Sequence, residues 1–260
     1  MGESLWWVLL IALLIGLVSG YVGGLLGVGG GIIIVPALLL ALPLTFPDTP
    51  VGFNAAKTVS SVAIVGVSIV GTMRHHQFKN VDVRLGLLLG AFGIPGALLG
   101  AYVGARLDNE PLRVIFGIVM LVSAFQLRRE PSTQTTPSMP ILGLLGFGGG
   151  VLAGLLGVGG GIIIVNGMLL LGFDAHLTVG TSMLAIVLNA GAATASNTAL
   201  GFMRLDVALP LTAASVVGVY GGATRANSVD TATLRGYFRS ALVLVGSYML
   251  LEALWPLLVH

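Results

Sequence analysis

The sequence predicts an all-α polytopic membrane protein with roughly 8 to 10 transmembrane segments in two homologous halves. Three observations carry that prediction. Of 260 residues, 56% are hydrophobic and only 8% are charged. Soluble domains carry about 25% charged residues, so this chain cannot build a polar shell. Apolar runs long enough to span a bilayer recur along the whole chain. Finally, the segment Gly24 to Val35 is repeated without change at Gly154 to Val165. Intrinsic disorder is excluded, because it needs more charge and less apolar content. A net charge of +2 with scattered basic residues argues against a nucleic-acid partner. Cysteine is absent, which removes disulfides and thiolate metal sites. No metal or cofactor is expected.

The first apolar run is Leu5 to Val22. No Lys or Arg precedes it, so it reads as a retained span and not as a signal peptide. Runs follow at 32–46, 54–73, 85–105 and 112–127. The stretch from Arg128 to Ser138 is polar and contains Pro131 and Pro137, so it reads as a linker. Runs resume at 140–153, 162–173, 178–202, 207–224 and 234–255. The layout is therefore a first membrane repeat over 1–127, a polar linker over 128–139 and a second repeat over 140–260. The stretch 140–172 is short for two full spans, so it suggests half-helices. With the N-terminus outside, the inside loops hold Arg74, Lys79, Arg84, Arg128, Arg129, Arg225, Arg235 and Arg239. Only Arg106, Arg113 and Arg204 lie outside, in agreement with the positive-inside rule. Trp6, Trp7 and Trp255 suit an aromatic belt.

An odd number of segments per repeat predicts inverted topology, a common plan of secondary transporters. The repeats align further at Lys57-Thr58 with Thr181-Ser182, and at Val81-Asp82-Val83 with Leu205-Asp206-Val207. Leu112-Arg113 and Phe116 fall opposite Leu234-Arg235 and Phe238.

Consecutive glycines cost about 1 kcal/mol each in a helix, so the repeated motif predicts a broken or re-entrant helix. Backbone N–H groups of Gly29, Gly30, Gly31 and of Gly159, Gly160, Gly161 would then open helix N-termini suited to anions. Close helix packing through small residues is the competing reading. Pro36 and Asn166 occupy matching positions after the two motifs.

Lys57 is the clearest ionisable residue inside a span, within Asn54-Ala55-Ala56-Lys57-Thr58-Val59-Ser60-Ser61. Helical spacing groups Lys57 with Ser61, Ser68 and Thr72. Either Lys57 meets an oxyanion, or it snorkels to the headgroups from a helix end. Ser182, Asn189 and Ser196 share a face of the eighth run, flanked by Thr181 and Asn197. They offer anion ligands or interhelical glue. Arg74, His75, His76 and Lys79 read as an inside loop, and His176 as a loop residue. No catalytic motif and no intramembrane carboxylate pair stands out, so an enzyme is not expected and the permeant is expected to be an anion.

The repeated Gly-Leu-Leu-Gly-Val-Gly-Gly-Gly-Ile-Ile-Ile-Val, followed by Pro36 in the first copy, resembles the hallmark of the TauE/SafE sulfite exporter family, which includes toluenesulfonate uptake permeases. Val179-Gly180-Thr181-Ser182 is similar to that family's pattern after the second copy. Asn166 departs from it, as does Lys57-Thr58 where a Thr-Ser pair is usual. The resemblance implies a multi-pass carrier of the bacterial inner membrane for sulfite, organosulfonates or related sulfur compounds. Taken with the residues, it leads to an alternating-access anion transporter. Asn54, Lys57, Thr58, Ser61, Asn166, Thr181, Ser182 and Asn189 join the glycines at the site, and one repeat rocks against the other. A passive anion channel and a non-transporting membrane subunit are the alternatives. The expected partners are a small anion and the lipid bilayer. A coupling ion, proton or sodium, and a homo-oligomer are compatible with the sequence.

Overall fold

A computed structural model of the chain describes residues 2–45, 52–126 and 137–259. These residues form ten helices and no strand. In the first half they are α1 (Gly2–Leu26), α2 (Gly31–Thr45), α3 (Phe53–Gln77), α4 (Val83–Gly104) and α5 (Asn109–Gln126). In the second they are α6 (Met139–Leu156), α7 (Gly161–Leu170), α8 (Ala175–Ala199), α9 (Leu205–Ala226) and α10 (Thr231–Val259). Every apolar run of the sequence is one of these helices. The expected linker at 128–139 falls largely outside the described residues, although Met139 already begins α6.

Seven helices, α1, α3, α4, α6, α8, α9 and α10, are long and apolar enough to cross a membrane. Large apolar side chains such as Leu144, Val217, Leu244 and Leu251 stand exposed on the outside, as a lipid-facing surface requires. The protein is thus a multi-pass membrane protein. By contrast, α2 has 15 residues and α7 has 10. At 1.5 Å per residue they reach about 22 and 15 Å, short of a hydrocarbon core of about 30 Å.

The helices pack in pairs that cross between the halves. α1 lies on α9 and α4 on α6; α3 also packs on α9 and α4 on α8. α3 meets α8, and α5 meets α10. Exchanging the halves turns each of these pairings into another of them or into itself. Two crossed bundles result, one of α1, α2, α3 and α9, the other of α6, α7, α8 and α4. They join where α3 meets α8. Glycines permit the closest contacts: a side chain at Gly20 would strike the Ser215 carbonyl, and one at Gly222 that of Tyr21. Gly150 and Gly154 meet the Gly93 and Ala97 carbonyls in the same way. Close helix packing therefore accounts for the glycines of these helices.

Candidate functional site at the glycine crossing

α1 stops at Leu26 and α2 starts at Gly31 because the intervening residues cannot stay helical. Gly27, Gly29 and Gly30 have φ of 73°, 77° and 82°. Gly157, Gly159 and Gly160 repeat this with 71°, 72° and 79°. Such left-handed values favour residues without Cβ. The helix is therefore broken at both motifs. The two breaks also touch. A Cβ on Gly31 would lie 2.7 Å from the Gly157 carbonyl oxygen, and one on Gly161 would lie 2.7 Å from the Val28 Cα. Ile64 of α3 and Ile186 of α8 close over Gly29 and Gly159 from both sides.

Each break is held by a serine from the other half. Ser182 donates from Oγ to the Gly27 carbonyl at 2.7 Å, and Ser60 donates to the Gly157 carbonyl at 2.7 Å. Among the described residues, no backbone carbonyl accepts from the amides of Val28 to Ile32, or of Val158 to Ile162. The first N–H groups of any helix lack an internal acceptor; here the αL turns extend that set into the loop.

These anchors also fix the register of the repeat. α3 and α8 both have 25 residues, and α4 and α9 both have 22. Ser60 and Ser182 hold the same place in their helices. Lys57 therefore stands opposite Val179, not opposite Thr181, and Val83 opposite Leu205. The expected pairing of Lys57-Thr58 with Thr181-Ser182 is displaced by two residues. Both halves keep a single register after the α2–α3 and α7–α8 connections.

Lys57 lies one turn into α3, fully buried at 0% exposure. Its Cα sits against Gly157, whose Cβ would lie 2.6 Å away. Its Nζ abuts Gly104 at the end of α4 and has no hydrogen-bond partner. Lys57 is enclosed by protein, so the snorkelling reading is corrected. The ammonium lies at the C-terminal end of α4, where the helix carries partial negative charge.

The remaining expected ligands divide. Thr58 donates to the Asn54 carbonyl and Ser61 to that of Lys57, so both hydroxyls serve their own helix. The Asn54 Oδ1 is buried without a partner. Thr181 Oγ1 accepts from the Asp82 amide at 2.9 Å, which ties the start of α4 to α8. Asn166 donates to the Ser123 carbonyl at 3.2 Å and so joins α7 to α5. Asn189 lies one turn beyond Ile186, against Gly93 of α4, and neither side-chain atom has a partner. The structure thus gathers the glycines, Lys57 and Ser182 at the crossing. Thr181 and Asn166 are engaged elsewhere. Ser60 was not anticipated, although its place four residues before Ile64 could have flagged it once the register was known. Arg74, His75 and His76 belong to α3, not to a loop, and His75 Nε2 lies 2.9 Å from the Gly24 carbonyl oxygen. His176 similarly belongs to the first turn of α8.

Known proteins resemble this chain in sequence. Residues 12–249 match the family described as Sulfite exporter TauE/SafE. The chain belongs to that family. A probable membrane transporter protein of Bacillus subtilis, YunE, is 29% identical over 94% of this chain and 98% of its own length. A probable membrane transporter protein of Haemophilus influenzae is 28% identical over the same shares. One from Methanocaldococcus jannaschii is 25% identical over 54% of this chain and 58% of its own. The chain is accordingly a membrane transporter of the TauE/SafE family.

Proposed function

We propose that the protein is a secondary, alternating-access carrier of small anions, with sulfite, organosulfonates or related sulfur compounds as the substrate class. One observation carries this reading. Two glycine breaks, each with a run of amides lacking backbone acceptors, meet beside a buried lysine that has no partner. Amide dipoles and an ammonium in low dielectric attract an oxyanion strongly. The family description supports the sulfur class.

In this reading the repeats have inverted topology, α2 and α7 are re-entrant, and the protein sits in a bacterial inner membrane with its N-terminus outside. Gly29, Gly30, Gly31, Gly159, Gly160 and Gly161 present the amides, and Lys57 supplies charge. The moving bodies are the two crossed bundles, because α1–α9 and α4–α6 are locked by backbone contacts between the sequence halves. Rocking at the α3–α8 contact parts Ile64 from Ile186 on one side at a time.

The test is uptake of labelled sulfite and methanesulfonate into proteoliposomes. Saturable flux that accelerates with unlabelled anion on the far side is expected. Linear, non-exchanging currents would replace the carrier by a channel. No flux for any sulfur anion removes the substrate class.

A further inference from the structure

The equal register of the two halves exposes a difference that neither half shows alone. A small cleft opens between the end of α1 and the second half, where Leu26, Val165, Phe238 and Arg235 face the first turn of α8. Its framework is duplicated. Under exchange of the halves, Leu26 of α1 becomes Leu156 of α6, and Val165, Leu169, Leu234, Arg235 and Phe238 become Val35, Leu39, Leu112, Arg113 and Phe116. Only the helix turn that closes the cleft differs. The first half presents Phe53, Ala56 and Lys57; the second presents Ala175, Thr178 and Val179. Phe53 meets Phe116 edge-on, with ring centroids 6.2 Å apart. Phe238 and Ala175 both line the cleft, which takes the place of the missing ring.

Polar groups follow the same split. In the first half Arg113 pairs with Glu252 at 3.3 Å. The Nε is buried without a hydrogen-bond partner in both Arg113 and Arg235, but among the described residues no carboxylate pairs with Arg235. Thr178 is 0% exposed, lines the cleft, and its hydroxyl has no partner. A buried hydroxyl and a guanidinium edge left open among apolar walls cost stability unless something accepts from them. What they share is a demand for a hydrogen-bond acceptor, which an oxyanion beside the guanidinium charge meets best.

We propose that the cleft between α7, α8 and α10 binds the oxyanion group of a small anion, with Arg235 and Thr178 as its polar ligands. This rests on the anion-carrier reading and adds a second station to it, lined by a residue type that the first half has already neutralised. The apolar walls suit an organosulfonate, whose carbon end is apolar, in preference to a strongly hydrated anion.

Purified full-length protein in detergent is titrated with sodium methanesulfonate, with chloride at equal ionic strength as reference, and its unfolding midpoint is followed. A saturable rise is expected for the wild type. Ala175→Phe restores the ring that the other half tolerates and abolishes the rise. Arg235→Gln weakens apparent affinity about tenfold or more, as loss of a charge-assisted hydrogen bond does, and Thr178→Val weakens it several-fold. Should Ala175→Phe fail to fold, the other two variants decide. Unchanged affinity in both overturns the site, as does the absence of any saturable rise in the wild type. Vesicle-derived phosphatidylglycerol provides the competing oxyanion: if it alone raises the midpoint, and Ala175→Phe removes that effect, the cleft holds a lipid headgroup and the soluble ligand is overturned. Saturable uptake with unaltered affinity in all variants sinks the cleft and leaves the carrier reading standing; binding without uptake does the reverse.

Discussion

Replacing Lys57 by methionine separates the cost of the buried ammonium from its use. Methionine has nearly the same length and volume, and volume-conserving swaps in a core cost less than about 1.5 kcal/mol. The ammonium it removes is fully enclosed, has no hydrogen-bond partner and touches Gly104. An unpaired buried ion carries an effective penalty of several kcal/mol. The nearby α4 C-terminus returns about 0.3–2 kcal/mol of that. Lys57→Met should therefore raise stability by about 1–3 kcal/mol, or roughly 3–10 °C for a chain of this length. Anion uptake should fall sharply, since the same change removes the ammonium beside the glycine crossing. Thermal unfolding in detergent and proteoliposome flux measured on one preparation give both readouts. A lowered midpoint would show that the ammonium has a stabilising partner and would refute the energetic reasoning. A raised midpoint with intact uptake would refute its functional half.

Ser60→Ala should destabilise by about 1–3 kcal/mol, because it strands the Gly157 carbonyl in the core; Ser68→Ala, whose hydroxyl serves its own helix, should cost almost nothing in the same unfolding assay. Gly160→Ala forces a side chain into φ of 79° and against the Gly149 carbonyl, so it should cost about 2–4 kcal/mol and cut the yield of folded protein seen by size exclusion. Asp230 accepts from the Thr233 amide and hydroxyl, which holds its carboxyl below the usual aspartate range. Its contribution to the start of α10 is present above about pH 4 and lost as pH falls through the depressed value. Hydrogen exchange in the first turn of α10 should therefore separate Asp230→Ala from wild type at neutral pH but not at acid pH.

Much of the fold was legible because its signals are local. Each helix is an apolar run, and runs are counted without knowing what they touch. The glycine breaks were equally legible, since three glycines after Val28 defeat helix propensity wherever they sit. The register between halves was not. In an apolar chain, matching Lys57-Thr58 to Thr181-Ser182 looks better than matching Lys57 to Val179, because polar residues resemble one another more than lysine resembles valine. Helix length and serine anchoring decide otherwise. The partners of Ser60, Thr181 and Asn166 were hidden for the same reason: each is a backbone group of a segment distant in sequence, and sequence spacing says nothing about it. Lys57 could be singled out, but its enclosure depends on Gly104, which lies on α4.

Register is also what gives the asymmetry meaning. A perfectly repeated carrier would present an anion with equivalent surroundings in both exposures. Here the shared framework of leucines, valine, phenylalanine and arginine is kept in both halves, and the divergence falls on one helical turn. In the first half that turn fills the framework with Phe53 and brings its own cation, while Glu252 occupies Arg113. In the second half the turn withdraws to Ala175 and Val179, and Arg235 keeps a free edge. If the two bundles rock to expose the crossing to each side in turn, an anion leaves Lys57 on one side and meets Arg235 on the other. The two stations then need not bind with equal strength. A ligand shifts a conformational equilibrium only by its differential affinity for the states, so this single turn is where a preference for one exposure would be written. Exchanging it between halves (Ala175→Phe with Val179→Lys, or Phe53→Ala with Lys57→Val) should make the resting distribution more even, or reverse it. Cysteine accessibility from the two membrane faces, measured on the already cysteine-free chain, reads that distribution directly; labelling unchanged by either exchange would place the preference elsewhere.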